Sequence, residues 1–92
     1  QTQRPVKHRA NARFWACHDR LPVAVRTVAQ RNFNLLKENP RHPSLHFKRV
    51  GKLWSVRVGP HHRALALEDG DDFIWVWIGP HDEYERLIRQ QG

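Results

Sequence analysis

Histidine and arginine side chains are the most reactive groups in this sequence. Arg57 and Arg63 flank a short turn that contains His61 and His62, and His81 follows an apolar run of strand type. Arginine stays protonated at neutral pH, and its planar guanidinium binds two phosphate oxygens at once. Histidine exchanges protons near neutrality, because its ordinary pKa is about 6.5. Arg57, Arg63, His62 and His81 are therefore candidate catalytic residues for metal-free cleavage of RNA, which needs a base, an acid and fixed positive charge.

Neighbouring polar residues are candidates for binding the rest of such a substrate. His46 and Lys48 alternate along a predicted strand, and Arg49 follows Lys48 directly. These three side chains would extend a track for phosphate groups. His61 lies in the turn beside the candidate site, and Tyr84 offers a ring for stacking or a hydroxyl for proton donation. Each has a plainer alternative. His61 would be an exposed loop histidine, His46 and Lys48 would form an ordinary polar strand face, and Tyr84 would pack in the core.

The histidines do not have the spacing of a metal site. No His-x-x-x-His pattern falls on a predicted helix, and no cysteine lies near them. The single cysteine, Cys17, has no partner for an internal disulfide, which favours a reducing cytosol. We therefore expect no metal and no other cofactor.

The charge of the chain indicates an anionic partner. Sixteen Lys and Arg residues against nine Asp and Glu give a formal net charge of +7. Such a charge attracts nucleic acid or an acidic protein. The longest apolar run, residues 73–78, is too short to cross a bilayer, and no signal-type stretch is present. We expect a cytoplasmic protein without a membrane partner.

The elements that must hold these residues run from helices to strands to one last helix. After a short first strand at residues 2–8, Asn11 is placed to cap a helix that ends at Leu21-Pro22. A second helix runs from Pro22 to Asn39-Pro40. Its apolar stripe, with steps of three and four, consists of Val25, Val28, Ala29, Phe33 and Leu36.

Four strands follow the helical hairpin. Residues 45–50 and 53–58 flank a tight turn at Gly51-Lys52, and residues 63–67 precede an Asp69-Gly70 turn. Residues 73–78 are apolar on both faces, as in a central strand, and Asp82 begins the last helix. The predicted class is α+β in one domain spanning residues 1–92: a two-helix hairpin on one face of a small, mostly antiparallel sheet, and a short C-terminal helix. The other sheet face is expected to be open and lined by Arg and His.

The pairing of two strands decides whether the candidate arginines meet. If Arg57 lies opposite Arg63, both side chains share a face, and a shift by one residue separates them. We favour the paired register, because it also groups Trp54, Val56 and Val58 with Ala64 and Ala66 against the helices. A further prediction concerns the aromatic strand, where Phe73, Trp75 and Trp77 are expected to share one face. The rings are available to contact RNA or a partner protein, and packing of the tryptophans in the core is the plainer alternative.

Five segments of the chain together resemble the RelE/ParE superfamily of toxins from bacterial toxin–antitoxin pairs. They are residues 39–45, 47–50, 54–58, 62–65 and 77–84. The resemblance implies a RelE-like fold and a cognate antitoxin as partner. It also implies one of three activities: cleavage of messenger RNA on the ribosome, inhibition of DNA gyrase, or no activity beyond binding the antitoxin.

The resemblance also implies roles for individual residues. In the nuclease members, basic residues on the strands that flank the long turn hold the scissile phosphate, and Arg57 and Arg63 match them. His81 in Gly79-Pro80-His81 matches a histidine that follows the last strand in some members. Two positions depart from the nuclease pattern: Ser55 stands where RelE-type nucleases carry a lysine, and His62 stands where tyrosine is usual.

Overall fold

The helical hairpin begins where the sequence places a capping residue. In the computed structural model, which describes residues 7–91, the side chain of Asn11 accepts a hydrogen bond from the N–H of Phe14 at 2.9 Å. Helix α1 spans Ala12–Asp19 and α2 spans Val23–Glu38. The carbonyl of Pro22 accepts the first helical hydrogen bonds of α2, and the helix ends before Asn39-Pro40. The predicted helix break and both helix ends are therefore confirmed to within a residue or two.

Within the described residues, five strands form one mixed sheet beneath this hairpin, in the order β1-β5-β4-β3-β2. The strands are β1 at His8–Ala10, β2 at Lys48–Val50, β3 at Leu53–Val58, β4 at His62–Asp69 and β5 at Asp72–Pro80. Helix α3, at His81–Gln91, follows β5 directly. Only β1 and β5 pair in parallel, and β2 and β3 form the predicted hairpin at Gly51-Lys52. The first strand lies later than expected, and residues 1–6 of that prediction are outside the described residues.

Two apolar layers lie on opposite faces of the sheet. Helices α1 and α2 cover the face that carries Val56, Ala64, Ala66 and Trp75. On the other face, α3 packs through Tyr84, Leu87 and Ile88 over Leu53, Leu65 and Trp77. The prediction that the second face is open is thus wrong where α3 covers it. The amphipathic C-terminal helix buries its own apolar side there.

A bulge in β5 reverses the predicted orientation of one tryptophan. Leu65 pairs with Trp77, whereas the next residue, Ala66, pairs with Trp75, so Val76 is an extra residue in the strand. Because one inserted residue moves every later side chain to the opposite face, Trp75 packs under α1 and α2 while Trp77 packs under α3. The prediction that Phe73, Trp75 and Trp77 share a face is therefore wrong.

The segment before β2 is also not the predicted strand. Residues Pro43–Leu45 form a 3₁₀ turn, and His46 has a positive φ of 46°, in the left-handed region. β2 begins only at Lys48, so His46 and Lys48 do not alternate along one strand. Among residues 7–91, no helix has both the length and the apolar character needed to span a membrane.

Candidate functional site

Arg57 and Arg63 lie directly opposite each other on β3 and β4, as the favoured register predicts. The three-residue turn between His62 and its partner Val58 fixes this pairing, with Gly59 at a positive φ of 67°. The next strand continues the row, because Arg63 is paired with Gly79 of β5. Side chains in such a row project from the same face, with about 5 Å between the Cβ atoms of a directly opposed pair. The two guanidinium groups therefore leave the α3-bearing face side by side.

No carboxylate within residues 7–91 neutralises either arginine. Arg57 Nε donates to the carbonyl of Gly59 at 3.1 Å, and the guanidinium of Arg63 stacks on the ring of Tyr84 at 5.2 Å. Nη1 of Arg63 is buried and has no hydrogen-bond partner in the part of the chain that the structure describes. Neither side chain forms an ion pair with an Asp or Glu among residues 7–91. Like charges directly opposite each other are destabilising, so this pair is suited to an anion that contacts both.

His81, at the first position of α3, is linked to this pair through Tyr84, whose ring contacts both Arg63 and His81. Its backbone N–H donates to the carbonyl of His61 at 2.8 Å, which ties the helix start to the β3–β4 turn. Its ring is 5.6 Å from that of Tyr84, and its Nδ1 is 3.0 Å from Oε1 of Glu85. The carboxylate of Glu85 therefore lies within ion-pair distance of this imidazole, one helical turn along α3.

Two residues that the sequence analysis did not assign to the site contribute to it. Glu85 lies within ion-pair distance of His81, and the i,i+4 spacing of the two residues on a helix was the signal that the sequence offered. Gly79 lies opposite Arg63, and a Cβ there would come within 2.6 Å of the Trp77 ring. A glycine at this position lets the indole lie across the strand beside the arginine row. Nothing in the sequence pattern alone reveals that contact.

Of the predicted phosphate track, only Lys48 joins the arginines. Lys48 is exposed and lies opposite Ser55, which places it on the same face as Arg57. Ser55 is fully buried, and its hydroxyl has no hydrogen-bond partner within the described chain. Arg49 lies opposite Trp54 on the other face, where its Nε donates to the carbonyl of Gly51 at 3.2 Å. The exposed side chain of His46 precedes the strand.

The remaining histidines of the prediction are not brought into the cluster. His62 pairs with Val58 and Pro80, and strand alternation turns it toward the α1 side of the sheet. Burial lowers the pKa of His62, and the neighbouring His61 lowers it further. The side chain of His61 is exposed, and only its carbonyl contacts His81. This dispersal agrees with a second finding: within residues 7–91, no three His, Cys, Asp or Glu side chains are grouped so that they could hold a metal ion.

Comparison with known families identifies one match. The model of the ParE-like toxin domain matches residues 23–86, which include α2, the strands β2 to β5 and the start of α3. No curated protein sequence matches the chain significantly.

Solved structures of toxins share the fold. RelE in the RelB–RelE antitoxin–toxin complex from Methanococcus jannaschii matches with a TM-score of 0.68 and 13% identity, over 86% of this chain and 96% of that one. A double mutant of the E. coli toxin RelE in the free state matches with a TM-score of 0.67 and 11% identity, over 96% and 94%. The YoeB/ParE toxin from Agrobacterium tumefaciens matches with a TM-score of 0.56 and 15% identity, over 83% and 99%. At these identities the likeness concerns the fold.

Proposed function

This chain belongs to the ParE-like toxin domain family, and on that premise we propose that it is the toxin of a bacterial toxin–antitoxin pair and that it cleaves messenger RNA on the ribosome without a metal. The observation that carries the nuclease proposal is the opposed pair Arg57 and Arg63, which lacks a carboxylate partner within residues 7–91 and shares the ring of Tyr84 with His81. The antitoxin–toxin complexes among its structural relatives support an antitoxin partner. We place the reaction in the cytoplasm, where ribosomes and messenger RNA are found.

In the proposed reaction, Nε2 of His81 takes the proton of a ribose 2′-hydroxyl. The 2′-oxygen attacks the adjacent phosphorus, and the bond from phosphorus to the 5′-oxygen of the next nucleotide breaks. The products are a 2′,3′-cyclic phosphate and a 5′-hydroxyl that takes its proton from water, and the hydroxide so formed takes the proton held by His81, which restores the neutral imidazole. Arg57 and Arg63 bind the non-bridging oxygens and stabilise the charge that accumulates there, while Glu85 stabilises the imidazolium. Lys48 on the same face binds a neighbouring phosphate of the RNA.

The test is induced expression followed by primer-extension mapping of messenger RNA. Arg57→Ala, Arg63→Ala and His81→Ala are compared with Arg31→Ala, which removes an exposed charge from α2 without touching the cluster. We expect the native chain and the Arg31 variant to arrest growth and to produce the same cut sites. The three cluster variants should lose the cuts by at least about 100-fold, since one group that stabilises a transition state contributes about 10²–10³ in rate. Cuts that persist in all three would refute the nuclease proposal.

A second candidate is inhibition of DNA gyrase, favoured by the ParE-like family model that matches most of the chain. It predicts growth arrest without new messenger RNA ends, together with loss of supercoiling by purified gyrase when the chain is added. The two candidates are separated in one set of strains, because the cluster variants should retain arrest only under the gyrase alternative. A chain that neither cuts RNA nor inhibits gyrase would leave binding of the antitoxin as its function.

A further inference from the structure

A cavity lies between the helical hairpin and the sheet, on the face opposite the arginine pair. It has a volume of about 150 Å³. Its floor consists of buried apolar side chains of α2, β3, β4 and β5, which are Leu36, Val56, Val58, Ala64, Trp75 and Ile78. Val56 and Val58 flank Arg57 on β3, and adjacent strand residues point to opposite faces, so the sheet separates this cavity from the proposed RNA site.

The helices leave this space unfilled because they contribute few large buried side chains. No residue of α1 is buried, and Leu36 is the only buried residue of α2. In the middle of α2 the cavity is lined by Ala29, whose side chain is a single methyl group. A domain of 92 residues has a thin core, and here the hairpin covers the sheet without closing the gap.

Exposed residues mark the opening of the cavity to solvent. Among the lining residues, the exposed ones are Arg9 on β1, Trp15 on α1 and Gln30 on α2. Trp15 is 51% exposed, which leaves a large apolar ring at the rim. The opening therefore lies where these three elements meet, and a molecule from solution enters there.

Aromatic rings surround the space. Besides Trp75 on the floor, the lining includes Phe14, Trp15 and Phe33. The centroids of Phe14 and Trp15 are 5.2 Å apart at an interplanar angle of 84°, and those of Phe33 and Trp75 are 6.5 Å apart at 84°. Such edge-to-face rings present both positive edges and negative faces. An aromatic guest is attracted to both, whereas a saturated guest of the same size gains only burial.

The charged and titratable side chains of the lining already have partners. The contacts are Trp75 Nε1–His8 Nδ1 at 3.2 Å, Arg9 Nη2–Asp69 Oδ2 at 3.0 Å, and His18 Nδ1–Asp19 Oδ1 at 3.2 Å. Because an indole N–H only donates, His8 accepts at Nδ1 and its ring is neutral. Burial also lowers the pKa of His8. Water on the apolar floor would find too few hydrogen-bond partners, so the cavity favours an uncharged apolar guest.

We propose that this cavity binds a small uncharged aromatic molecule of one or two rings, of the size of benzene or indole. The volume fits such a guest, because apolar cavities of about 150 Å³ stay free of water and bind benzene. The bound ring joins the helical hairpin to the strands that carry Arg57 and Arg63. The site is independent of the proposed function, since it needs neither RNA nor an antitoxin.

NMR titration of the isotope-labelled chain with indole tests the proposal. We expect one saturation curve with a Kd of about 1 mM or below, the range for a well-buried ligand of this size. Intermolecular NOEs should connect indole protons to the methyl groups of Val56, Val58 and Ala64. The thermal midpoint should rise with indole concentration, because a ligand that binds only the folded chain stabilises it. Shifts that never saturate, or NOEs confined to the exposed Trp15 and Val23, would overturn the proposal.

Two matched substitutions on α2 locate the bound ligand. Ala29→Leu places extra carbons in the cavity and should weaken indole binding at least about tenfold, because a close-packed interior leaves no second space for the ring. Ala24→Leu adds the same side chain at an exposed position outside the cavity and should leave the Kd within about twofold. Equal effects of the two variants would overturn the proposal. If Ala29→Leu does not fold, the NOEs to the floor of the native chain decide the question.

Two ligand comparisons test the chemistry of the guest. Benzyl alcohol should bind at least about threefold more tightly than cyclohexylmethanol, which has the same skeleton without the aromatic ring. Equal binding would overturn the assignment to aromatic molecules. The blocked peptide acetyl-Gly-Trp-Gly-amide should bind more weakly than indole, because its backbone cannot enter the cavity. A peptide that binds as tightly as indole would identify a side chain of a partner protein as the guest and overturn the proposal.

Discussion

The opposed arginines should repel each other measurably in the free protein. The register places their Cβ atoms about 5 Å apart on one face of the sheet. Each guanidinium has one contact of its own, since Arg63 stacks on Tyr84 and Arg57 donates to the carbonyl of Gly59. At a separation of about 6 Å and an effective dielectric constant of about 40–80, Coulomb's law gives a repulsion of about 0.7–1.4 kcal/mol. Because each Arg→Gln variant relieves the whole of this repulsion, the double variant should be less stable than the sum of the single effects by that amount.

Urea unfolding followed by tryptophan fluorescence measures this coupling in a double-mutant cycle of Arg57→Gln and Arg63→Gln. Contacts that each arginine makes alone, including the stacking on Tyr84, cancel in the cycle. The coupling should shrink in 1 M salt, where the screening length is about 3 Å, and also when phosphate replaces chloride at equal ionic strength. Additive single effects at low salt, or an attractive coupling, would refute the inference that two unneutralised cations face each other here.

Three other predictions concern the folded state. Burial lowers the pKa of His8, so its contribution to the free energy of unfolding is full above the ordinary pKa of 6.5 and is lost as the pH falls below it. Urea midpoints at pH 5.5 and 7.5 should therefore differ less for His8→Asn than for His46→Asn. An equal fall in both variants would contradict the lowered pKa of His8. Leu65→Ala removes a side chain that is 2% exposed beneath α3, and it should lower the free energy of unfolding by about 2–5 kcal/mol. Leu67→Ala, at 43% exposure, should lower it by less than about 0.5 kcal/mol. Similar losses for the two variants in thermal unfolding would refute the packing of α3. Gly79→Ala brings a Cβ to 2.6 Å from the adjacent indole and should cost about 1–3 kcal/mol with a change in near-UV circular dichroism, and a native spectrum with native stability would contradict this contact.

The strand register was predictable because two independent patterns agree on it. The turn at Gly59-Pro60 limits the loop length, and only one register groups the apolar residues of β3 with the alanines of β4. The same register places Arg57 opposite Arg63. Local signals of this kind also gave the cap at Asn11 and the hairpin at Gly51-Lys52, where side-chain chemistry or a positive φ determines the backbone.

The errors arose where a tertiary contact decides the structure. The bulge at Val76 lets β5 present Trp75 to the helical hairpin and Trp77 to α3, and an entirely apolar run carries no alternation that could reveal it. The left-handed backbone of His46 likewise follows the 3₁₀ turn before it rather than any preference of histidine. His62 was grouped with its neighbours in sequence, although adjacent strand residues point to opposite faces.

The central claim is that Arg57, Arg63 and His81 together form one site for an RNA phosphate. Side-chain NMR of the ¹⁵N-labelled chain, titrated with an oligoribonucleotide whose 2′-hydroxyls are methylated to prevent cleavage, tests it most directly. We predict that the Nε–Hε signals of both arginines and the ring signals of His81 move together along one saturation curve. If these signals stay fixed while other arginines titrate, the RNA binds elsewhere and the account of the site is wrong.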